Sequence, residues 1–345
     1  MAGAHLAGDG RGVCGCGEGV RMPQHGAVKT ENVLMRAGEC LVSVLPRFGG
    51  KIASIRIGDR ELMQAPLAPI ETRTRTMVFD AGDASGWDEC LPSVAACQVE
   101  TEAGVAAIPD HGDLWRLEWE VQGSGNGEPS DISVTLAGKC FSLPLRLERR
   151  MDLRETENGW RLGLQYTLTN DGAKTMPWSW AAHPLFAAEK GDRIVLPDSI
   201  KQLRLEGSGG ERLGRGGHTV AWPRVRLKDG STADMGVVEG AESGIGDKLF
   251  AGPLKLSEDW CALERPSAGV RVRVRFDVEA TPYLGLWICY GGWPDRPGPK
   301  QMCVAMEPST APVDSLAVTG KWSRALGPGE SFSWPMNVEI ERIER

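Results

Sequence analysis

From about Val28 onward, apolar and polar residues alternate with a period of two, the signature of strands with one buried face. Trp115, Leu117, Trp119 and Val121 alternate with Arg116, Glu118 and Glu120. After a Gly/Asn/Pro loop come Ile132, Val134 and Leu136, then Leu145, Leu147, Met151 and Leu153, with Arg149 interrupting the apolar side. Asn158-Gly159 separates these from Trp160, Leu162, Leu164, Tyr166 and Leu168, and such a dipeptide between alternating runs signals a hairpin. The pattern predicts an antiparallel meander from about Leu114 to Thr169.

The second half repeats the style. Val270, Val272, Val274, Phe276 and Val278 alternate with Arg271, Arg273, Arg275 and Asp277. Tyr283 to Tyr290 is apolar almost throughout and reads as a strand buried on both faces. Phe332, Trp334, Met336, Val338 and Ile340 form a last run, in which Pro335 suggests an edge strand or a bulge. No amphipathic helix longer than two or three turns is apparent. Strands without intervening helices predict an all-β chain of stacked antiparallel sheets, a large β-sandwich. The glycine-rich segment Glu206 to Thr219 reads as a mobile loop; it lacks the G-x-G-x-x-G spacing and opens no helix, which argues against a dinucleotide site. Gly291 to Lys300 reads as a rim loop presenting Trp293.

Composition narrows the function. The 345 residues carry 46 acidic and 39 basic side chains, a formal charge of −7, which argues against a nucleic-acid partner. No run of about 18 apolar residues suggests a membrane span, and no secretory signal is visible. The 12 Trp outnumber Phe (7) and Tyr (3) together, an excess that fits a deep core or a platform for stacking sugars. The nine cysteines are odd in number and scattered, as expected of reduced thiols in a cytoplasmic protein. Cys14-Gly-Cys16 lacks a second pair or nearby histidines, so no metal site is expected. Residues 1–27 are glycine-rich and aperiodic and are expected to be a disordered extension, with 28–345 forming one sandwich domain.

Three segments gather polar groups between strands. His111 lies in Pro109-Asp110-His111-Gly112-Asp113, where an ordinary surface turn would use the same residues. His183 lies in Trp178-Ser179-Trp180-Ala181-Ala182-His183-Pro184-Leu185-Phe186; Pro184 forces it into an extended conformation, and the alternative is a satisfied core histidine. Glu307 follows four largely apolar residues at a probable strand end; burial there would raise its pKa and make it a usable base, whereas in water it would be an ordinary surface carboxylate.

In this order and spacing, the three segments resemble the aldose 1-epimerase (galactose mutarotase) superfamily. The resemblance spans about Thr30 to Glu341. It takes in Leu45-Pro46-Arg47-Phe48-Gly49-Gly50, Gly86-Trp87-Asp88-Glu89-Cys90, His111-Gly112, His183-Pro184-Leu185-Phe186 and Glu307-Pro308. It implies a β-sandwich holding a monosaccharide, a hexose, in an open cleft, with no cofactor, in a monomer or homodimer. It assigns His183 as general acid and Glu307 as general base, with His111 polarising the sugar ring. Asp247 is the closest match to an aspartate that holds sugar hydroxyls. Trp87, Asp88, Trp287 and Trp293 are further candidates for sugar contact. Two other readings stay open: a non-catalytic carbohydrate-binding protein on the same fold, and a hexose-phosphate mutarotase, for which Arg73 and Arg75 are candidate anion ligands. A polysaccharide lyase would want a longer chain and a helical toroid.

Overall fold

The computed structural model describes residues 32–124, 132–318 and 322–344. The expected disorder of residues 1–27, and Cys14 and Cys16 with it, lie outside the described residues. Two antiparallel sheets dominate. The larger has eleven strands. Its hydrogen-bonded order is Val33–Ala37, Cys40–Leu45, Lys51–Ile57, Trp87–Cys90, Ala181–Ala187, Met302–Ser309, Tyr283–Tyr290, Ile245–Ala251, Gln202–Ser208 and Thr219–Ala221, with Arg60–Glu61 beside Lys51–Ile57. The smaller has eight strands, in the order Arg193–Val195, Trp260–Arg265, Val270–Phe276, Ser331–Arg342, Gly159–Asn170, Leu145–Thr156, Ile132–Lys139 and Glu120–Ser124. The helical segments among the described residues are short 3₁₀ turns. One apolar core draws Val42, Ile55, Leu286 and Met306 from the first sheet and Leu147, Leu162, Val272 and Val338 from the second. The all-β sandwich read from the sequence is therefore the fold.

The two-residue period does its work most clearly in the hairpin Leu145–Thr156 with Gly159–Asn170. Its twelve pairs run from Leu145↔Asn170 to Thr156↔Gly159, so Glu157 and Asn158 form the tight turn. Arg149, which breaks the apolar face, is fully buried and reaches across the sandwich, where Nη1 lies 2.9 Å from Glu89 Oε1. The same carboxylate accepts from Tyr166 Oη at 2.9 Å and Trp180 Nε1 at 3.0 Å, so the intersheet charge is paired and hydrogen-bonded.

Three local expectations change. The Trp115–Val121 alternation is not one strand: Leu114–Arg116 is a 3₁₀ turn, and pairing begins at Glu120. Trp119 Nε1 donates to Leu114 O at 3.1 Å, which closes the turn on itself. Pro335 lies in a central strand, between Gly159–Asn170 and Val270–Phe276, and not at an edge. It sits one residue past the last pair on its Val270–Phe276 side, Phe276↔Met336, so no ladder partner is lost there. The segment from Glu206 begins as strand, since Gln202–Ser208 pairs with Ile245–Ala251.

Candidate active site

Strand register brings the chemistry together. Asp88 pairs with His183, and Leu185, Ala305, Trp287 and Lys248 stand opposite one another on successive strands. With the strand period of two, His183 and Glu307 share the face of Leu185, Ala305, Trp287 and Lys248. This face is turned away from the smaller sheet, whereas Ala182, Phe186, Val304 and Met306 point into the main core. Gly285 stands opposite Glu307, and a Cβ there would come within 3.1 Å of Glu307 Oε2. The missing side chain makes room for the carboxylate.

Loops raise walls around this floor to form a cleft of about 490 Å³, within the range of about 300–1,000 Å³ usual for small-molecule sites. Val78, Phe79, Asp80, Val94, Ala95, Asp110, His111, His183, Lys248, Trp287, Trp293, Gln301 and Asp314 line it. Trp287 Nε1 donates to Gln301 Oε1 at 2.8 Å, and Gln301 Nε2 donates to Ala84 O at 3.1 Å, which fixes the indole in place. His111 has a positive φ of 57° and is followed by Gly112 at 69°. A Cβ on Gly112 would lie 2.2 Å from Leu91 O, so glycine lets this turn press against the sheet. The imidazole of His111 then stacks on Phe79 at 3.7 Å, meets His183 edge-on at 5.2 Å, and pairs through Nδ1 with Asp110 Oδ2 at 2.8 Å.

His183 Nε2 lies 3.9 Å from Glu307 Oε1, and both side chains are almost wholly buried. Neither His183 Nδ1 nor Glu307 Oε1 has a hydrogen-bond partner. Burial, helped by His111 and Lys248, pushes the His183 imidazole well below its usual range. Burial likewise raises the Glu307 carboxyl, while Lys248 opposes the rise. Lys248 Nζ bonds Glu307 Oε2 and lies 3.6 Å from Asp314 Oδ1. Burial alone would lower this ammonium, but Asp314 and Glu307 outweigh it and hold it above its ordinary value. The site therefore places a buried imidazole and a buried carboxylate beside a lysine held by two carboxylates.

Of the eight residues proposed from the sequence, His183, His111, Trp287 and Trp293 line the cleft, and Glu307 lies just beneath its floor, 3.9 Å from His183. Asp88 is on the correct face but beneath the surface, with Oδ2 2.6 Å from Lys51 Nζ. Trp87 and Asp247 do not reach the cleft. Trp87 is on the opposite face of its strand and fully buried in the core. Asp247 is likewise turned away and fully buried, its carboxylate held by Arg212 and by Ser208 Oγ at 2.7 Å. Its neighbour Lys248 takes the place in the site. Arg73 is committed to Asp83 at 2.7 Å, Arg75 lies over the Phe141 ring, and neither lines the cleft. Sequence reasoning missed Lys248, Asp314, Phe79 and Gln301. The signal for Lys248 was strand parity, since adjacent residues cannot share a face. The others come from loops, where no period applies. Among the described residues, no group of three or more His, Cys, Asp or Glu side chains is placed to hold a metal ion, and no helix is long and apolar enough to cross a membrane.

Solved structures superpose on the chain over most of its length, galactose mutarotase-like proteins among them. A protein from Synechocystis sp. PCC 6803 does so with a TM-score of 0.66 at 17% identity, covering 91% of this chain and 97% of its own. A galactose mutarotase related enzyme from Lactobacillus acidophilus gives 0.60 at 16% identity, covering 91% and 98%. An aldose epimerase homologue from C. elegans gives 0.62 at 11% identity, covering 91% and 99%. At these identities the likeness is one of fold. In sequence, the aldose 1-epimerase family profile matches residues 97–216, a stretch that holds His111 and His183. A comparison with curated protein sequences finds no match.

Proposed function

We propose that this chain interconverts the α and β anomers of an unphosphorylated hexose by general acid–base catalysis. The observation that carries the reading is the pair on the cleft floor: His183 and Glu307, 3.9 Å apart, each with one polar atom lacking a partner. One proton shared by such a pair suffices for the cycle. With Glu307 ionised and His183 protonated, Glu307 takes the C1 hydroxyl proton while His183 protonates the ring oxygen, and the C1–O5 bond breaks. The open aldehyde turns about C1–C2. Neutral His183 then takes the proton back from O5–H as O5 attacks the carbonyl, and Glu307 returns its proton to O1. The raised carboxyl and the lowered imidazole favour the neutral pair, which is the state left by ring opening.

The walls support the substrate class. Trp287 and Trp293 offer apolar faces to a pyranose. Asp80, Asp110 and Asp314 line the cleft, and its lysine, Lys248, is already engaged by Glu307 and Asp314. A phosphorylated sugar would instead need arginine or lysine free to bind it. The test is anomer exchange by NMR on a panel of free and phosphorylated hexoses, with wild type and Glu307→Gln. The substitution keeps size and hydrogen bonding but removes the basic lone pair. It is expected to lower exchange by about 10²–10⁴-fold with sugar binding retained. Near-wild-type exchange by the variant would overturn the assignment, and sugar binding without exchange by wild type would favour a carbohydrate-binding protein.

A further inference from the structure

We propose that Lys248 is a positioning residue for this reaction, a built-in counter-ion that clamps one oxygen of Glu307 and favours the charged form a base requires. The inference rests on the reading of Glu307 as the base. Four observations carry it. The carboxylate is 1% exposed, so water does not solvate its charge. Lys248 Nζ takes only Oε2, which leaves Oε1 without a partner on the side of His183. Lys248 itself is only 12% exposed, and Asp314 Oδ1 at 3.6 Å pins it from the other side. The absence of a Cβ at Gly285 leaves the carboxylate room beside the lysine's strand.

The other groups around Glu307 do not substitute for this cation. His183 and His111 approach from the neighbouring strand and from the turn before Leu114. Asp314 comes from the loop after the strand that carries Glu307 and adds negative charge. The thiols of Cys90 and Cys303, from the strand beyond that of His183 and from Glu307's own strand, are held neutral chiefly by burial. Asp88, the cross-strand neighbour of His183, is tied to Lys51. Of the described groups facing Glu307, Lys248 is the one lasting positive charge. A buried carboxylate without such a partner takes up a proton and ceases to be a base. Lys248 thus lowers the cost of the ionised Glu307 with which the proposed cycle begins.

The experiment compares wild type, K248M and K248R. The Glu307 carboxyl is followed by ¹³C NMR of glutamate-labelled protein, its signal assigned with E307Q, alongside the pH profile of kcat/KM. In K248M the Glu307 titration midpoint is expected to rise by about 1–3 on the pH scale. Exchange at pH 7 should fall about 10²-fold, with sugar affinity little changed. K248R should restore the midpoint. If K248M fails to fold, as judged by near-ultraviolet circular dichroism, K248Q supplies the same comparison. A Glu307 midpoint unchanged in a folded, uncharged variant would overturn the proposal. Absence of anomer exchange in wild type would instead remove the mutarotase reading, while the carboxyl titration still decides whether Lys248 sets the charge of Glu307.

Discussion

Beneath the cleft floor, Lys51 is fully buried, with Nζ 2.6 Å from Asp88 Oδ2 and 3.1 Å from Asp83 Oδ2, while Arg73 holds the other oxygen of Asp83 at 2.7 Å. Burial alone would raise the Asp83 carboxyl, but Lys51 and Arg73 outweigh it and bring it down to about 2. In the unfolded chain the same group titrates near ~3.9. A carboxyl depressed by folding contributes its full stabilisation above the unfolded value and loses it as the pH falls through the folded one. Asp83→Asn leaves buried Arg73 without its carboxylate and Lys51 with Asp88 alone, and urea melts at pH 7 should show a loss of about 3–5 kcal/mol. The gap from wild type should narrow as the pH falls from about 4 towards 2; a gap independent of pH would remove charge as the cause. Single residues also show what the sequence revealed and what it hid. His183 and Glu307 were legible because each polar group interrupts an apolar run ahead of a proline. Asp247 was the wrong choice by one position because motif likeness carries no information on parity; only the pairing Lys248↔Trp287 decides which neighbour faces the cleft.

At the scale of elements, alternation revealed strands wherever one face is covered by the core, and it misled where two tryptophans imitate the pattern. Trp115 and Trp119 are buried because Gly49 and Gly50 make way for them: Cβ atoms there would lie 2.6 Å from the Trp115 backbone and 2.5 Å from the Trp119 ring. Those contacts are nonlocal, so no window of sequence around Trp115 contains them. The Asn158-Gly159 hairpin was readable, although its glycine acts differently from a turn residue. Gly159 pairs with Thr156, has φ +151°, and would place a Cβ 1.9 Å from Ile340 O on the neighbouring strand. Gly159→Ala should therefore cost at least about 1–3 kcal/mol in chemical denaturation. Gly58→Ala, also at positive φ but with nothing nearby, serves as a control for backbone strain alone. Equal losses in the two variants would show that the close approach of Ile340 contributes nothing.

For the whole molecule, the strand order matters more than the strand count. Met302–Ser309 lies between Ala181–Ala187 and Tyr283–Tyr290, and Ser331–Arg342 lies between Gly159–Asn170 and Val270–Phe276. Late segments thus join the halves of both sheets, and one of them carries Glu307. Periodicity could not reveal this, because alternation marks a strand without naming its neighbours. A chain ending at residue 300 should lack a cooperative melt and bind the dye ANS strongly, since each sheet would be left with open inner edges. A cooperative transition in that fragment would show that the earlier strands are self-sufficient. The same order has a consequence for synthesis. A ribosome adds the stretch from 302 to 342 in ~2–8 s, after every other strand of both sheets has been made. Until then, each half-sheet waits with unpaired backbone at its centre. Closure of both sheets would therefore wait for the same stretch of chain that brings in Glu307.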